Sequence, residues 1–184
     1  MNSKNNHIED GPYVLYYDNG NKQEEGTKKN GIKEGPYVIY DGLGSKRNEG
    51  TYKNGLKEGP NVWYYSGGNR EEVIYKNDVI EGPYVYYYSD GDRMEGIKKN
   101  GVDEGPYVLY DDDGNIKEEG TYKNSKKEGP YVLYYPNGNK KEEGTLVDGI
   151  KEGPYIRYYS DGGREEGTYK NGKRVKQWTS KHKW

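Results

Sequence analysis

The chain has 184 residues with no cysteine and no phenylalanine, but it contains 28 glycines, 23 tyrosines and 3 tryptophans. Without cysteine it can form neither a disulfide framework nor a thiolate metal site. No stretch is apolar enough for a signal peptide or a transmembrane helix, so we expect a cytoplasmic location. The net charge of −2 combines an acidic body with a short basic tail after Gly172. This distribution argues against nucleic-acid binding, which needs an extended basic face.

A Gly-Pro step recurs seven times at intervals of 23 or 24 residues. A fixed period of this length is typical of repeat architectures. The sequence therefore predicts a flexible N-terminus at residues 1–9, seven hairpin repeats at 10–172, and a basic C-terminal cap or tail at 173–184. Trp178 is expected to pack on the last hairpin. The Gly-Pro steps begin at Gly11, Gly35, Gly59, Gly82, Gly105, Gly129 and Gly153.

The first repeat shows how one unit is built. Residues 12–17 form a β-branched and aromatic run that predicts a strand starting at proline, where no ladder hydrogen bond is lost. Residues 18–21 contain Asn-Gly, which favours a hairpin turn. Residues 22–29 predict a second, more polar strand, and residues 30–35 a return loop. The fold class is therefore all-β, an elongated single-layer antiparallel meander of about seven tandem β-hairpin repeats.

Comparison of the repeats with each other predicts which face of the sheet is packed. Val14 and Tyr16 share one face, and their equivalents are valine or isoleucine and tyrosine in every repeat. We therefore expect the Val-x-Tyr side to be packed. Glycines such as Gly26 recur on the second strand, and neighbouring tyrosine rings are expected to cover them. The shorter repeats are expected to lack one residue in the hairpin turn.

The other side of the first strand is predicted to be more exposed. Its rings either shield a thin sheet from water or bind a partner, because exposed aromatic residues form interfaces. Positions that vary between repeats, such as Asp41 and Asp111, are where a partner could distinguish one repeat from another. The predicted partner-binding residues are Tyr13, Tyr17, Tyr37, Trp63, Tyr65, Tyr84, Tyr86, Tyr88, Tyr107, Tyr131, Tyr135, Tyr155, Arg157 and Tyr159.

The sequence offers no constellation that indicates catalysis. Asp111–Asp113 lacks the glycine and glutamate spacing of a calcium loop. The repeated Glu-Glu pairs are expected to be cross-strand partners of lysine. The two histidines, His7 and His182, are both near the termini, so no nucleophile–histidine pair can be built securely. We expect no enzyme activity, no cofactor and no metal site.

The unit GPYVLYYDNG…EEGTYKNG…EG resembles the MORN repeat, and more closely the bacterial MORN-variant repeats that include the YwqK-type antitoxins. The residues that carry the resemblance are the Gly-x-Tyr-x-x-Tyr-Tyr strand at 11–17, the Glu-Gly-Thr-Tyr strand at 49–52 and the Asn-Gly return at 54–59. The likeness spans residues 10–178. It implies a twisted array of hairpins that acts as a scaffold or partner-binding module.

The functional prediction is a non-enzymatic module for protein–protein interaction. Its narrower form, suggested by the resemblance, is an antitoxin or immunity protein that binds a cognate toxin. The alternative is an aromatic repeat protein that binds carbohydrate or cell wall. Self-association is left open. A membrane partner is not expected, because an acidic body is not attracted to an anionic leaflet.

Overall fold

The computed structural model describes residues 10–175 and 179–181. The chain divides into two compact units, Met1–Gly82 and Pro83–Trp184, which are considered separately below. The predictions for residues 1–9 and for Trp178 fall outside the described residues.

The first unit is an antiparallel meander. The long strands follow one another in chain order, and each two-residue strand pairs with the end of the strand before it. A 3-10 turn, Ser66–Gly68, connects the last two long strands of this unit's hairpins. The strands are β1 (Gly11–Tyr16), β2 (Lys22–Lys29), β3 (Ile32–Lys33), β4 (Gly35–Tyr40), β5 (Lys46–Lys53), β6 (Leu56–Lys57), β7 (Gly59–Tyr64), β8 (Arg70–Lys76) and β9 (Val79–Ile80).

The second unit repeats this plan. From Arg93 onward the long strands again pair in sequence, and the last hairpin strand is paired by a three-residue strand near the C-terminus. The strands from Gly82 onward are β10 (Gly82–Tyr87), β11 (Arg93–Lys99), β12 (Val102–Asp103), β13 (Gly105–Tyr110), β14 (Ile116–Lys123), β15 (Lys126–Lys127), β16 (Gly129–Tyr134), β17 (Lys140–Val147), β18 (Ile150–Lys151), β19 (Gly153–Tyr158), β20 (Arg164–Lys170), β21 (Lys173–Arg174) and β22 (Thr179–Lys181). The prediction of an all-β antiparallel meander of hairpins is confirmed.

The connectors between hairpins turn tightly because two consecutive residues adopt positive φ. Asn30 and Gly31 have φ of 53° and 74°, the conformation of a type I′ turn. Successive connectors are also joined to each other. The carboxylate of Glu34 accepts the backbone N–H of Asn54 at 2.7 Å, and the same bond recurs between Glu152 and Asn171 at 2.6 Å. The glutamate before the Gly-Pro step of these two repeats therefore stabilises the following connector.

Two connectors place a residue other than glycine at the second left-handed position. Asp78 has φ of 65° and Ser125 has φ of 59°. In each case the side chain accepts a backbone N–H from the preceding connector, that of Lys57 at 2.6 Å and that of Asp103 at 3.1 Å. The hydrogen bond offsets part of the cost of placing a β-carbon in this conformation.

The full-length hairpins contain a β-bulge in their second strand, which the sequence did not predict. Leu133 pairs with Glu142 and Tyr134 with Lys140, so Lys141 has no partner residue in the ladder. The shorter third and seventh hairpins have continuous register at this place. The prediction that the deletion falls in the turn is wrong, because it removes the bulged residue instead.

The packed side of each unit is the opposite of the one predicted. In the second hairpin Tyr37 lies directly opposite Gly50, while Pro36, Val38 and Tyr40 project from the other face. Tyr37 is 2% exposed, whereas Val38 and Tyr40 are half-buried. We call the side that carries Tyr37 the tyrosine face and the side that carries Val38 the valine face.

The strand glycines explain this arrangement. A β-carbon added at Gly120 would lie 2.9 to 3.1 Å from three atoms of the Tyr107 side chain, so the ring lies against the bare backbone. The predicted covering of glycine by tyrosine is therefore confirmed, but the first tyrosine of the strand covers it. Five residues predicted to be exposed for partner binding are instead buried by this packing: Tyr37, Tyr84, Tyr107, Tyr131 and Tyr155.

Candidate partner-binding site

A charged network lies beneath the buried tyrosine rings and is best developed around Glu142. Its carboxylate, 4% exposed, accepts hydrogen bonds from the hydroxyls of Tyr131 (2.7 Å) and Tyr155, and from the side chains of Lys151 (2.5 Å) and Arg157 (3.4 Å). Burial raises the pKa of Glu142, but the bonds from Lys151 and the two tyrosines outweigh it and lower the pKa to about 2. The anion therefore joins neighbouring hairpins at neutral pH.

The same network recurs elsewhere with fewer partners. Glu24 accepts the Tyr13 hydroxyl at 2.5 Å and the Lys33 ammonium at 2.5 and 2.7 Å. The carboxylate of Glu118 likewise accepts hydrogen bonds from the Tyr107 hydroxyl and the Lys127 ammonium. These carboxylates stabilise the fold, because their hydrogen bonds are made to side chains of the repeats themselves.

One pair of hairpins in the first unit replaces the charged network with amides. Asn48 takes the place of the glutamate, and Asn61 takes the place of the next tyrosine. Tyr37 donates to Asn48 at 2.7 Å, Asn61 donates to Tyr37 at 2.6 Å, and Asn48 donates to Asn61 at 2.5 Å. Burial lowers the pKa of Lys57, whose ammonium lies 4.8 Å from the centre of the Trp63 ring. Tyr37, Asn48 and Asn61 thus hydrogen-bond one another, so the two substitutions leave none of these three buried side chains without a partner.

The valine face has its own bonds between hairpins. Tyr40 donates to Glu25 of the preceding hairpin at 2.5 Å, and Lys22 binds the same carboxylate at 2.7 Å. Tyr158 and Glu143 repeat the contact at 2.6 Å. Lys22 precedes Glu25 by three residues near the start of the same strand, so the predicted cross-strand pairing with lysine is wrong for this glutamate.

In each unit, the residue that follows a first strand lies on the tyrosine face, next to the hairpin turn. We call these residues the corner row; they are Tyr17, Asp41 and Tyr65 in the first unit and Tyr88, Asp111, Tyr135 and Tyr159 in the second. Tyr17 donates its hydroxyl to the backbone carbonyl of Tyr40 at 2.8 Å, and Tyr135 donates to that of Tyr158 at 2.8 Å. Each of these two rings thus bridges its own hairpin and the next.

The other tyrosines of the corner row make different contacts. Tyr65 donates to Glu71 at 2.8 Å and Tyr159 donates to Glu165 at 3.0 Å, both within their own hairpins. The rings of Tyr86 and Tyr88 pack together with centres 4.7 Å apart. The shorter hairpins therefore direct their corner tyrosines along their own strands.

Asp111 interrupts the corner row in the second unit. Its carboxylate accepts the backbone N–H of Asn115 at 2.7 Å, which closes its own turn. By the spacing of the Tyr17 and Tyr135 bonds, a tyrosine here would reach the carbonyl of Tyr134. Asp111 has no ring to place there.

A pocket of about 420 Å³ opens at this position. Its floor is apolar, and its rim carries charges of both signs. We call it the Asp111 pocket. It is lined by Leu109, Asp111, Ile116, Lys117, Glu118, Leu133, Tyr134, Tyr135, Pro136 and Lys141.

The rim charges are held in place by neighbouring groups. Lys117 forms an ion pair with Asp92, and the Lys141 ammonium lies 5.8 Å from the centre of the Tyr135 ring. Hydrogen bonds from Asn115 outweigh partial desolvation and lower the pKa of Asp111, so its carboxylate is ionised at neutral pH. The pocket therefore combines apolar side chains with charged side chains of both signs.

The predicted partner-binding residues separate into three groups in the structure. The five buried rings are excluded as a contact surface in this fold, and Tyr13 is half-buried with its hydroxyl used internally. Trp63, Tyr86 and Arg157 occupy half-buried positions between the buried rings and the corner row. The remaining residues, Tyr17, Tyr65, Tyr88, Tyr135 and Tyr159, belong to the corner row. Of the fourteen predicted partner-binding residues, Tyr135 is the one that lines the Asp111 pocket.

Sequence reasoning missed Leu109, Leu133 and the two lysines as members of a site. The available signal was the interruption of the tyrosine row at Asp111, which had been identified as a variable position. The pocket itself could not be inferred, because it depends on the direction in which the neighbouring rings point.

The described part of the chain shows no group of three or more histidine, cysteine, aspartate or glutamate residues that could hold a metal ion. Across residues 10–175 and 179–181, no helix is long and apolar enough to cross a membrane.

Two models of known repeat families match segments of this chain. A family model described as the MORN repeat variant matches residues 9–30, 103–124, 127–148 and 151–171. A second model, described as the MORN repeat, matches residues 49–70 and 74–93. A search of curated proteins gave no match. The matched segments together cover more than half of the chain and occur in both units, and the chain belongs to the MORN-repeat family.

Proposed function

We propose that this protein is a binding module that anchors a protein partner at the Asp111 pocket. MORN repeats generally serve as non-catalytic modules for protein or lipid interaction. The observation that carries the proposal is the missing ring in the corner row. The array leaves an apolar, ring-sized space where two other repeats place a tyrosine side chain.

The pocket fits an aromatic side chain of the partner, and tyrosine best. A ring would pack between Leu109, Leu133 and Tyr135, and its hydroxyl could donate to the backbone carbonyl of Tyr134. An aromatic anchor that fills a pocket is the usual form of an interface hot spot. Charged partner residues beside the anchor would have to complement a rim that carries Asp111 and Glu118 as well as Lys117 and Lys141.

The narrower proposal is that the partner is a toxin and that the module neutralises it in the cytoplasm. It rests on the resemblance to the YwqK-type antitoxins. Co-expression of the identified partner should arrest growth, and co-expression of the wild-type module should restore it. Asp111→Tyr should fail to restore growth while accumulating to the wild-type level. A partner with no effect on growth would refute the toxin assignment but not the binding site.

Site-specific photo-crosslinking tests the location of the binding site. A photoreactive residue at Ile116, which lines the pocket and is 37% exposed, should form an adduct with one partner. The same residue at Leu43, 90% exposed on a hairpin turn of the first unit, is the matched control and should not. Peptide mapping should place the adduct beside an aromatic residue of the partner.

The adduct should disappear when Asp111 is replaced by tyrosine, because the introduced ring fills the pocket. An adduct that persists in Asp111→Tyr, or that forms equally from Leu43, would contradict the proposal. Capture of a glycan in place of a protein would instead favour the alternative of carbohydrate binding.

A further inference from the structure

The position that Glu142 holds in the sixth repeat carries an oxygen acceptor in every repeat except the fourth. We call these residues the acceptor row; they are Glu24, Asn48 and Glu71 in the first unit and Met94, Glu118, Glu142 and Glu165 in the second. The side-chain oxygens of Asn48, Glu118 and Glu142 each accept a tyrosine hydroxyl. Met94 has a thioether sulfur in their place, which is a weak acceptor.

Two tyrosine hydroxyls are directed at the Met94 sulfur. Tyr88 of the same repeat donates to it at 4.0 Å, and Tyr122 of the fifth repeat donates to it at 3.9 Å. These distances are longer than those of a hydrogen bond between two oxygens. A donor to sulfur points at a lone pair, and oxidation places the new oxygen on a lone pair. A sulfoxide oxygen would therefore lie between the sulfur and a hydroxyl, within ordinary hydrogen-bonding reach.

The fourth repeat also reverses the charge beside this position. In the fifth and sixth repeats, the ammonium of Lys127 or Lys151 binds the carboxylate of the acceptor row. The fourth repeat has Asp103 at the corresponding place, and its carboxylate binds Lys98 at 2.8 Å. A carboxylate at position 94 would face this second anion and be repelled, whereas a neutral acceptor would not. A sulfoxide is a neutral acceptor, so it suits this place better than glutamate does.

We propose that Met94 is a modification site, at which hydrogen peroxide oxidises the thioether to a sulfoxide that Tyr88 and Tyr122 bind. Met94 is half-buried, so a small oxidant reaches it from solvent. The sulfur lone pair forms the S–O bond as the O–O bond breaks. The proton on the transferred oxygen moves to the departing hydroxide, which leaves as water; sulfur is oxidised and peroxide reduced by two electrons.

The modified repeat gains the oxygen acceptor that its sequence lacks. Because Met94 and Tyr122 belong to successive repeats, the new hydrogen bond joins the fourth repeat to the fifth within the second unit. Oxidation of a packed methionine ordinarily disrupts its surroundings, since it makes an apolar side chain polar. Here the polar product meets two donors. The proposal does not depend on what binds at the Asp111 pocket.

The test treats the full folded chain with hydrogen peroxide and locates the added oxygen by peptide mapping. The other methionine of the sequence is Met1, so the two sites fall in different peptides. Hydrogen exchange of the β11 amides is then measured before and after oxidation. We expect exchange about two- to tenfold slower in the oxidised chain, because that is the effect of one additional hydrogen bond on local opening.

The double variant Tyr88→Phe/Tyr122→Phe removes both donors, so oxidation should then make the β11 amides exchange faster. The matched control is Tyr134→Phe/Tyr158→Phe, which removes two hydroxyls from the valine face of the same unit. Oxidation should still slow β11 exchange in this control.

Two substitutions reproduce the chemistry without peroxide. Met94→Gln introduces a neutral oxygen acceptor and should slow β11 exchange as oxidation does. Met94→Glu introduces a charged acceptor beside Asp103 and should make exchange faster than in the wild type.

Three results would overturn the proposal. The first is a Met94 that stays unoxidised in the folded chain after Met1 has reacted completely. The second is β11 exchange that is unchanged or faster in the oxidised wild type. The third is equal slowing by oxidation in Tyr88→Phe/Tyr122→Phe, since other groups would then bind the oxygen.

Discussion

Removing the charge of Glu142 should destabilise the second unit more than the same change at Glu118 or Glu165, which occupy the same position in the neighbouring hairpins. Glu142→Gln keeps the size of the side chain but leaves Lys151 and Arg157 without their shared anion. The pKa of Glu142, lowered from 4.5 to about 2, corresponds to about 3 kcal/mol of stability at neutral pH. The Lys151 and Arg157 side chains are 32% and 40% exposed, so solvent screening reduces this to about 2 kcal/mol.

The effect has a defined pH dependence. A carboxyl whose pKa is lowered by folding contributes its stability above the unfolded pKa and loses it as pH falls toward the folded pKa. The difference between wild type and Glu142→Gln should therefore be largest at pH 7, begin to shrink below about pH 4.5, and fall to about half by pH 3.

Native-state hydrogen exchange of the β17 amides measures this difference locally, without requiring the whole array to unfold in one step. The matched control is Glu165→Gln. Glu165 occupies the same position one hairpin later, and among the described residues its carboxylate accepts hydrogen bonds from Tyr159 at 3.0 Å and Arg174 at 3.3 Å. Glu165→Gln should lower the free energy of opening by less than about 1 kcal/mol. A loss below about 0.5 kcal/mol for Glu142→Gln at pH 7, or an equal loss at pH 7 and pH 3, would refute the reasoning.

Two further substitutions test the packing and the turns. Gly120→Ala should lower the free energy of unfolding by about 1 to 3 kcal/mol, because its β-carbon would collide with the Tyr107 ring; Gly42→Ala, where nothing lies within 4 Å, should change it by less than about 0.5 kcal/mol in the same urea titration. Equal effects of these two changes would contradict the covering of strand glycines by tyrosine. Ser125→Ala should cost about 1 kcal/mol, because the residue keeps φ of 59° but loses the bond to the Asp103 amide. Ser125→Gly should be close to neutral by thermal unfolding, since relief of the backbone offsets the lost bond, and a loss as large as that of Ser125→Ala would show that the backbone is not strained.

The sequence was sufficient for the hairpins but not for the side of the sheet that is packed. Strand, turn and connector follow from the alternation and from Asn-Gly, which specify local conformation. The choice of face does not, because tyrosine recurs on both sides of the first strand and is suited to burial and exposure alike. The register between strands decides it by placing Tyr37 opposite Gly50.

Arg157 shows why residue type did not identify the packed face. Arginine is usually exposed in folded proteins. In the structure its guanidinium lies on the packed side and reaches the Glu142 carboxylate at 3.4 Å, which compensates the charge. Such a partner comes from the preceding hairpin and cannot be identified from one repeat alone.

The candidate site was only partly predictable for the same reason. The substitution of tyrosine by Asp111 is visible in the sequence as a break in a row. The pocket exists because Asp111 places no ring in the space beside Leu109 and Leu133, and the Tyr135 ring, directed toward the carbonyl of Tyr158, does not fill it. Ring directions depend on packing between hairpins, which the sequence pattern does not specify.

The most direct test of the account is the affinity of the purified partner for Asp111→Tyr, measured by isothermal titration calorimetry beside wild type and Asp41→Tyr. Asp41 holds the corresponding corner in the first unit, so the control adds the same ring outside the Asp111 pocket. The account predicts an affinity reduced at least about tenfold for Asp111→Tyr, since loss of a buried aromatic anchor typically costs 2 kcal/mol or more. It predicts no change for Asp41→Tyr. Wild-type affinity in Asp111→Tyr, with the variant fully folded, would contradict the claim that the missing ring creates the binding site.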